Sequence, residues 1–136
     1  MPTPPSISDA EWDVISVLWD AVPNALSAND VVEQLAKPKG WSPRTVKTLL
    51  NRLVNKGALK FEVDGKRYLY RPAVNREQCV RAESRSFLSR VFGGAVGPML
   101  VHFVRNAELS DIELKELEDA LAAAKKSSRG GGRRRS

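Results

Sequence analysis

The segment from Ser42 to Gly57, preceded by Trp41, reads WSPRTVKTLLNRLVNKG and restricts the fold more than any other part of the chain. At about 100° per residue, Val46, Leu49, Leu50, Leu53 and Val54 fall on one apolar arc, the spacing of a core-facing helix. Arg44, Thr48, Asn51 and Asn55 fall on the opposite side, with Lys47 flanking one edge and Thr45 and Arg52 the other. Ser42 is suited to the N-cap and Pro43 to the first helical position, where a missing N–H costs nothing. Gly57 follows as a left-handed stop. One face must therefore be buried by the rest of the chain. The other offers cations and hydrogen-bonding groups without a single carboxylate, a surface suited to an anionic partner.

Charge supports that surface. The net charge is +6, but residues 1–36 carry six acids and no Lys or Arg, whereas residues 37–72 carry ten bases against Glu62 and Asp64. Residues 73–126 are balanced, and four arginines lie in the last ten residues. A basic block that coincides with a well-capped helix points to nucleic acid more than to a merely solvated face. Cys79 is the sole cysteine, so no internal disulfide forms, and it is expected to be a packing residue. No apolar run approaches the roughly 20 residues needed to span a bilayer. MPTPPSIS lacks the features of a secretory signal, so a cytoplasmic location without membrane insertion is expected.

The elements around this helix can be placed from their boundaries. Ser8 to Glu11 spells a capping box, opening a helix at about 9–21 with Trp12, Ile15, Leu18, Trp19 and Val22 as its buried stripe. Ser27 caps a second helix at about 28–37, ended by the turn Pro38-Lys39-Gly40. After Gly57 the apolar period changes from 3.6 to 2. Residues 58–63 and 66–71 are expected to pair as a β-hairpin through a type I′ turn at Asp64-Gly65, with Leu59, Phe61 and Val63 facing the helices. Three helices followed by a basic hairpin outline a winged helix-turn-helix domain. The expected fold class is mainly α with a small β-hairpin.

A second composition begins near Asn75. Helices are expected at about 76–92, 95–105 and 111–125, the last opened by a capping box at Ser110 to Glu113. Too few apolar residues are present for an independent core. Val80, Phe87, Leu88, Val91, Met99, Leu100, Phe103, Leu117 and Leu121 are therefore expected to bury one another across a homodimer. The expected organisation is a flexible N-terminus at 1–7, a DNA-binding domain at 8–73, a dimerisation region at 74–126 and a basic disordered tail at 127–136.

If the partner is double-stranded DNA, a recognition helix at about 43–56 would place Arg44, Thr45, Lys47 and Thr48 in the major groove. Arg44 could pair with guanine, and the threonines could reach a thymine methyl or a phosphate. Arg52 lies further along, nearer backbone phosphate, and Lys66 and Arg67 in the wing would hold adjacent phosphate without reading sequence. Trp12, Trp19 and Trp41 are expected in the core. Metal-ligand spacing, phosphate-binding glycine loops and nucleophile motifs are missing, so neither an enzyme nor a bound cofactor or metal is expected. The competing possibility is a winged-helix module whose basic face meets an acidic protein.

The ordered motifs ISDAEWDVISVLW at 7–19, WSPRTVKTLLNRLVNKGAL at 41–59, YLYRP at 68–72 and the terminal LSDIELKELEDAL resemble the penicillinase repressor (BlaI/MecI/CopY) family of winged-helix transcriptional regulators, over about residues 6–124. The resemblance implies an N-terminal winged helix and a C-terminal helical dimerisation region. It implies repression, in which a dimer occupies a palindromic operator, for example of a β-lactam-resistance or stress operon. Copper-responsive members carry a cysteine-rich motif near the C-terminus, which Cys79 alone does not supply. β-Lactam-responsive members imply a membrane-bound sensor protease pathway that cuts the repressor in its dimerisation region. The matching bond here is His102–Phe103, where the family's usual Asn is replaced by His.

Overall fold

The computed structural model describes residues 4–131, with side-chain surroundings through residue 127. The elements in chain order are α1 (Asp9–Ala21), β1 (Leu26–Ser27), α2 (Ala28–Lys39), α3 (Pro43–Asn55), β2 (Leu59–Asp64), β3 (Arg67–Pro72), α4 (Arg76–Phe92), α5 (Val96–Asn106) and α6 (Asp111–Gly131). They form two compact units, the first running to Phe87 and the second starting at Leu88.

Local chemistry sets the helix ends of the first unit. Ser8 Oγ accepts the Glu11 amide at 3.2 Å and Glu11 Oε1 accepts the Ser8 amide at 2.9 Å. Ser27 and Asp30 repeat the exchange at the start of α2. Such a cap is worth about 1 kcal/mol. Pro38 does not end α2 as expected. The helix runs to Lys39, because a proline in the last turn removes a single donor, and Gly40 at φ 66° closes it with its amide on Ala36. Gly57, at φ 84°, follows α3, and Ala58 N–H donates back to Leu53 O at 2.9 Å.

The three helices enclose one core. Val14, Ile15, Leu18, Val31, Val46, Leu50 and Leu53 are fully buried, and Ile7, Leu59, Tyr70 and Cys79 complete the cluster. Complete burial of one such aliphatic side chain is worth about 1.5–3 kcal/mol. Val14 takes the place expected for Val22, which is 56% exposed beyond the end of α1. Trp19 is buried, with its indole N–H on Val74 O at 3.1 Å and Arg76 stacked 5.3 Å from its ring centre. Trp12 and Trp41 are partly buried against the same core.

The hairpin belongs to a three-stranded antiparallel sheet of order β1-β3-β2, in which Leu26 and Ser27 pair with Tyr70 and Leu69. Periodicity could not show β1, which is two residues long. Asp64 pairs with Arg67, so the two-residue loop is Gly65-Lys66 and not the expected Asp64-Gly65. Only Gly65 has a positive φ (67°), which a type I′ turn does not allow and a type II′ turn does. The inward alternation holds at the base of the hairpin, where Leu59 and Tyr70 are buried. It fails towards the tip, where Phe61 and Val63 are 44% and 64% exposed, because the strands outrun the helices they rest on.

Of the second unit, α5 and α6 hold apolar residues with little cover. Leu100, Val101, Phe103, Val104, Ile112 and Leu121 are all more than 40% exposed. Met99 and Leu117 are half-buried, as are Phe87 and Leu88 where α4 passes from the first unit to the second; Val80 and Val91 on α4 are exposed. Ser110 and Glu113 form the expected capping box. α6 continues past the expected end near 125, so 127–131 of the expected tail are helical. The rest of that tail, 132–136, and residues 1–3 lie outside the described residues. Among the described residues no single helix is long and apolar enough to cross a membrane.

Candidate nucleic-acid interface

The exposed face of α3 follows from how completely its other face is used. Val46, Leu49, Leu50 and Leu53 are buried against α1 and α2, which fixes the rotation of the helix. Arg44, Thr45, Lys47, Thr48, Asn51 and Arg52 are exposed as a consequence. Ser42 caps the helix by accepting the Thr45 amide at 3.2 Å, and the two hydroxyls lie 3.2 Å apart. Thr45 is thus engaged with the cap, whereas Arg44 and Thr48 stand clear of it in the middle of the polar arc.

Ion pairing separates the ten bases of residues 37–72 into two groups. Lys56 is turned inward: its ammonium pairs with the carboxylate of Glu11 and donates to Ser6 O at 2.7 Å. Glu11 is 2% exposed. Burial pushes its carboxyl up, but the Lys56 and Ser8 hydrogen bonds outweigh that and hold it below the ordinary glutamate value. Lys39 pairs with Asp13 at 3.2 Å and Arg71 with Glu62 at 2.8 Å. Arg67, expected as a phosphate contact, lies 3.3 Å from Asp64 across the turn. Both partners of that pair are more than half exposed, so the bridge is worth about 0–1 kcal/mol and opens readily. Lys37, Arg44, Lys47, Arg52, Lys60 and Lys66 have no acidic partner among the described residues. Five of these six unneutralised cations thus lie on α3 and the hairpin, and Lys37 lies on α2.

The hairpin stands beside the Lys47 edge of α3. Lys47 and Asn51 share an open groove of about 610 Å³ with Lys66, Arg67, Tyr68 and Tyr70. Sequence reasoning had put Lys47 with the base-reading residues, and the tertiary structure joins it to the wing residues. Arg52 and Thr45 belong to the far edge of α3, about 140–160° round the helix from Lys47. Tyr68 and Asn51 carried no assigned role in the sequence, although both flank residues that did. On the hairpin, Phe61 and Tyr68 stack with centroids 4.6 Å apart and an interplanar angle of 20°. Among the described residues no cluster of three His, Cys, Asp or Glu side chains could hold a metal ion.

Residues 7–123 match the penicillinase repressor family. The chain is 37% identical over 117 residues to the penicillinase repressor of Bacillus licheniformis, covering 86% of this chain and 90% of that protein. It is 33% identical over 115 residues to the methicillin resistance regulatory protein MecI of Staphylococcus aureus strain N315, covering 85% and 92% respectively. In three dimensions it is similar to the solution structure of the DNA binding domain of the repressor BlaI, with a TM-score of 0.50 and 37% identity over 57% of this chain and 93% of that domain.

Proposed function

From the premise that the chain belongs to the penicillinase repressor family and is a DNA-binding transcriptional repressor, we propose that it acts as a homodimer on a palindromic operator. Within each copy, residues 8–73 bind DNA and 74–126 pair the copies. Arg44 and Thr48 read base edges in the major groove, assisted by Thr45. Lys47, Lys66, Arg67 and Arg52 hold phosphate on either side. The observation that carries this reading is the cationic face of α3, left without acidic partners by the same packing that buries its apolar side.

Two copies would place two α3 helices in successive major grooves, about 34–36 Å or a multiple of that apart. Promoter occlusion then follows in the cytoplasm, where the chromosome lies. The exposed apolar residues of α5 and α6 support the second copy as partner, since a monomer would leave them in water. Release by a membrane-bound sensor protease pathway would cut His102–Phe103. That bond lies inside α5, so cleavage needs the helix to open locally. Derepression in induced cells with only full-length protein on a blot would rule cleavage out.

The direct test is binding to duplex DNA over a range of salt. Log affinity should fall with log salt at a slope of about −0.9 per phosphate neutralised. Arg44→Ala should cost about 1–3 kcal/mol on the operator and relax base preference, whereas Lys66→Ala should weaken all duplexes alike and reduce the slope by about 1. A wild-type protein that ignores random duplex at low salt would sink the DNA reading and favour the acidic-protein partner.

A further inference from the structure

The groove between α3 and the hairpin combines charge with neutral groups that no role above uses. Ligand pockets of comparable size, about 300–1,000 Å³, are lined mainly by hydrophobic side chains. Here the walls carry Lys47, Lys66 and Arg67, with Asn51 one turn along from Lys47. The third wall is the first turn of α2, which contributes one carboxylate, Asp30. That carboxylate accepts the Ser27 amide at 3.0 Å, and this bond, helped by the nearby Arg67 charge, holds its pKa below the usual range. The groove is therefore net positive, and its single acid is already engaged.

Tyr68 gives the groove a defined surface. Its ring is covered on one side by Phe61 and remains 48% exposed. The pairings Phe61–Tyr70 and Val63–Tyr68 put all four side chains on the same face of the hairpin, the face that meets the helices at its buried base. A stacked aromatic ring presents contact area with little rotamer freedom left to lose on binding. Cations, an amide and an immobilised ring in one open channel match the repeating unit of a nucleic-acid strand, an anionic phosphate joined to a sugar. Resting on the DNA-binding reading above, we propose that this groove seats one sugar-phosphate segment of duplex DNA, with the Tyr68 ring against the deoxyribose and the Asn51 amide donating to a phosphate oxygen. Lys47 and Lys66 provide the countercharge.

The neutral contacts have a signature that the cations lack. Removing a lysine loses a released counterion and so flattens the salt dependence; removing Tyr68 or Asn51 lowers affinity without touching the slope. The experiment titrates the full-length chain into a labelled mixed-sequence duplex of about 20 base pairs, and a second duplex of unrelated sequence, at several salt concentrations. Tyr68→Ala and Asn51→Ala should each weaken both duplexes about 3- to 10-fold at every salt, with wild-type slope. Tyr68→Phe keeps the stacked ring and should retain most of the affinity. Asn51 is exposed on α3, so its variant carries the test even if truncating Tyr68 disturbs the hairpin. Steep wild-type binding with both alanine variants within about twofold of it would overturn the seat while leaving the DNA reading intact. Loss confined to one duplex would overturn it too, since it would make Asn51 a base reader. A wild-type chain without a salt-dependent slope would instead overturn the DNA reading.

Discussion

The two units treat the same kind of residue in opposite ways. In the first, Leu50, Leu53, Val46 and Val31 are sealed to 0% exposure by neighbours in the same chain. In the second, Leu100 on α5, and Leu121 and Ile112 on α6, lie on regular helices yet stand 42%, 56% and 75% exposed. Helix formation therefore follows from local sequence, while burial needs a second surface. The first unit contains that surface in α1, α2 and β3. The other unit has helices whose apolar faces await a partner, for which we propose a second copy.

Substitutions can break this contrast, beginning with the largest effect. Leu50→Ala removes a fully buried side chain and should destabilise the first unit by about 2–5 kcal/mol, read by thermal or denaturant unfolding. Leu121→Asp should leave that unfolding transition in place, because its site lies outside the first unit. It should instead shift sedimentation towards monomer and weaken binding to a two-site operator by about 10²-fold. If Leu121→Asp lowered the stability of the first unit as much as Leu50→Ala, the division of labour would collapse.

A smaller effect is expected at the Glu11–Lys56 pair, which joins the start of α1 to the end of α3. Lys56→Met leaves a buried carboxylate short of a donor and should cost about 1–3 kcal/mol at neutral pH. Glu11 titrates below its ordinary value of 4.5 in the folded chain, so its contribution is present above that pH and disappears as the pH falls through the folded value. Lys56→Met should therefore move the onset of acid unfolding to higher pH, followed by circular dichroism. Least affected should be Asp64→Ala, which frees Arg67 at the tip of the hairpin. Affinity for every duplex should rise by no more than about 1 kcal/mol, the worth of an exposed pair. A fall in affinity would show that Asp64 holds Arg67 in its binding geometry.

Much of the first unit was legible in the residues. The 3.6 period of α3, the Ser8, Ser27 and Ser42 caps and the change of period after Gly57 are encoded within a few positions of one another, and each appears in the structure. The ion pair of Arg67 with Asp64 was not legible, because it depends on a turn register one residue from the expected one. Phe61 and Val63 were expected inside by alternation. Alternation tells which residues share a face of a strand, but not how far the neighbouring layer extends beneath it.

By itself the sequence determined that α3 would be an amphipathic helix with a carboxylate-free face, that a hairpin would follow it, and which family's ordered motifs the chain carries. These depend on interactions spanning about four residues or on linear order, and both can be read along the chain. Only the tertiary structure decided which cations remain available. Lys56 and Lys39 are neutralised by acids of α1 more than twenty residues away in sequence, whereas Lys47 is brought beside Lys66 and Tyr68 by the packing of the hairpin. Charge is countable in a sequence, but a Coulomb interaction depends on distance and on access to water, and folding sets both.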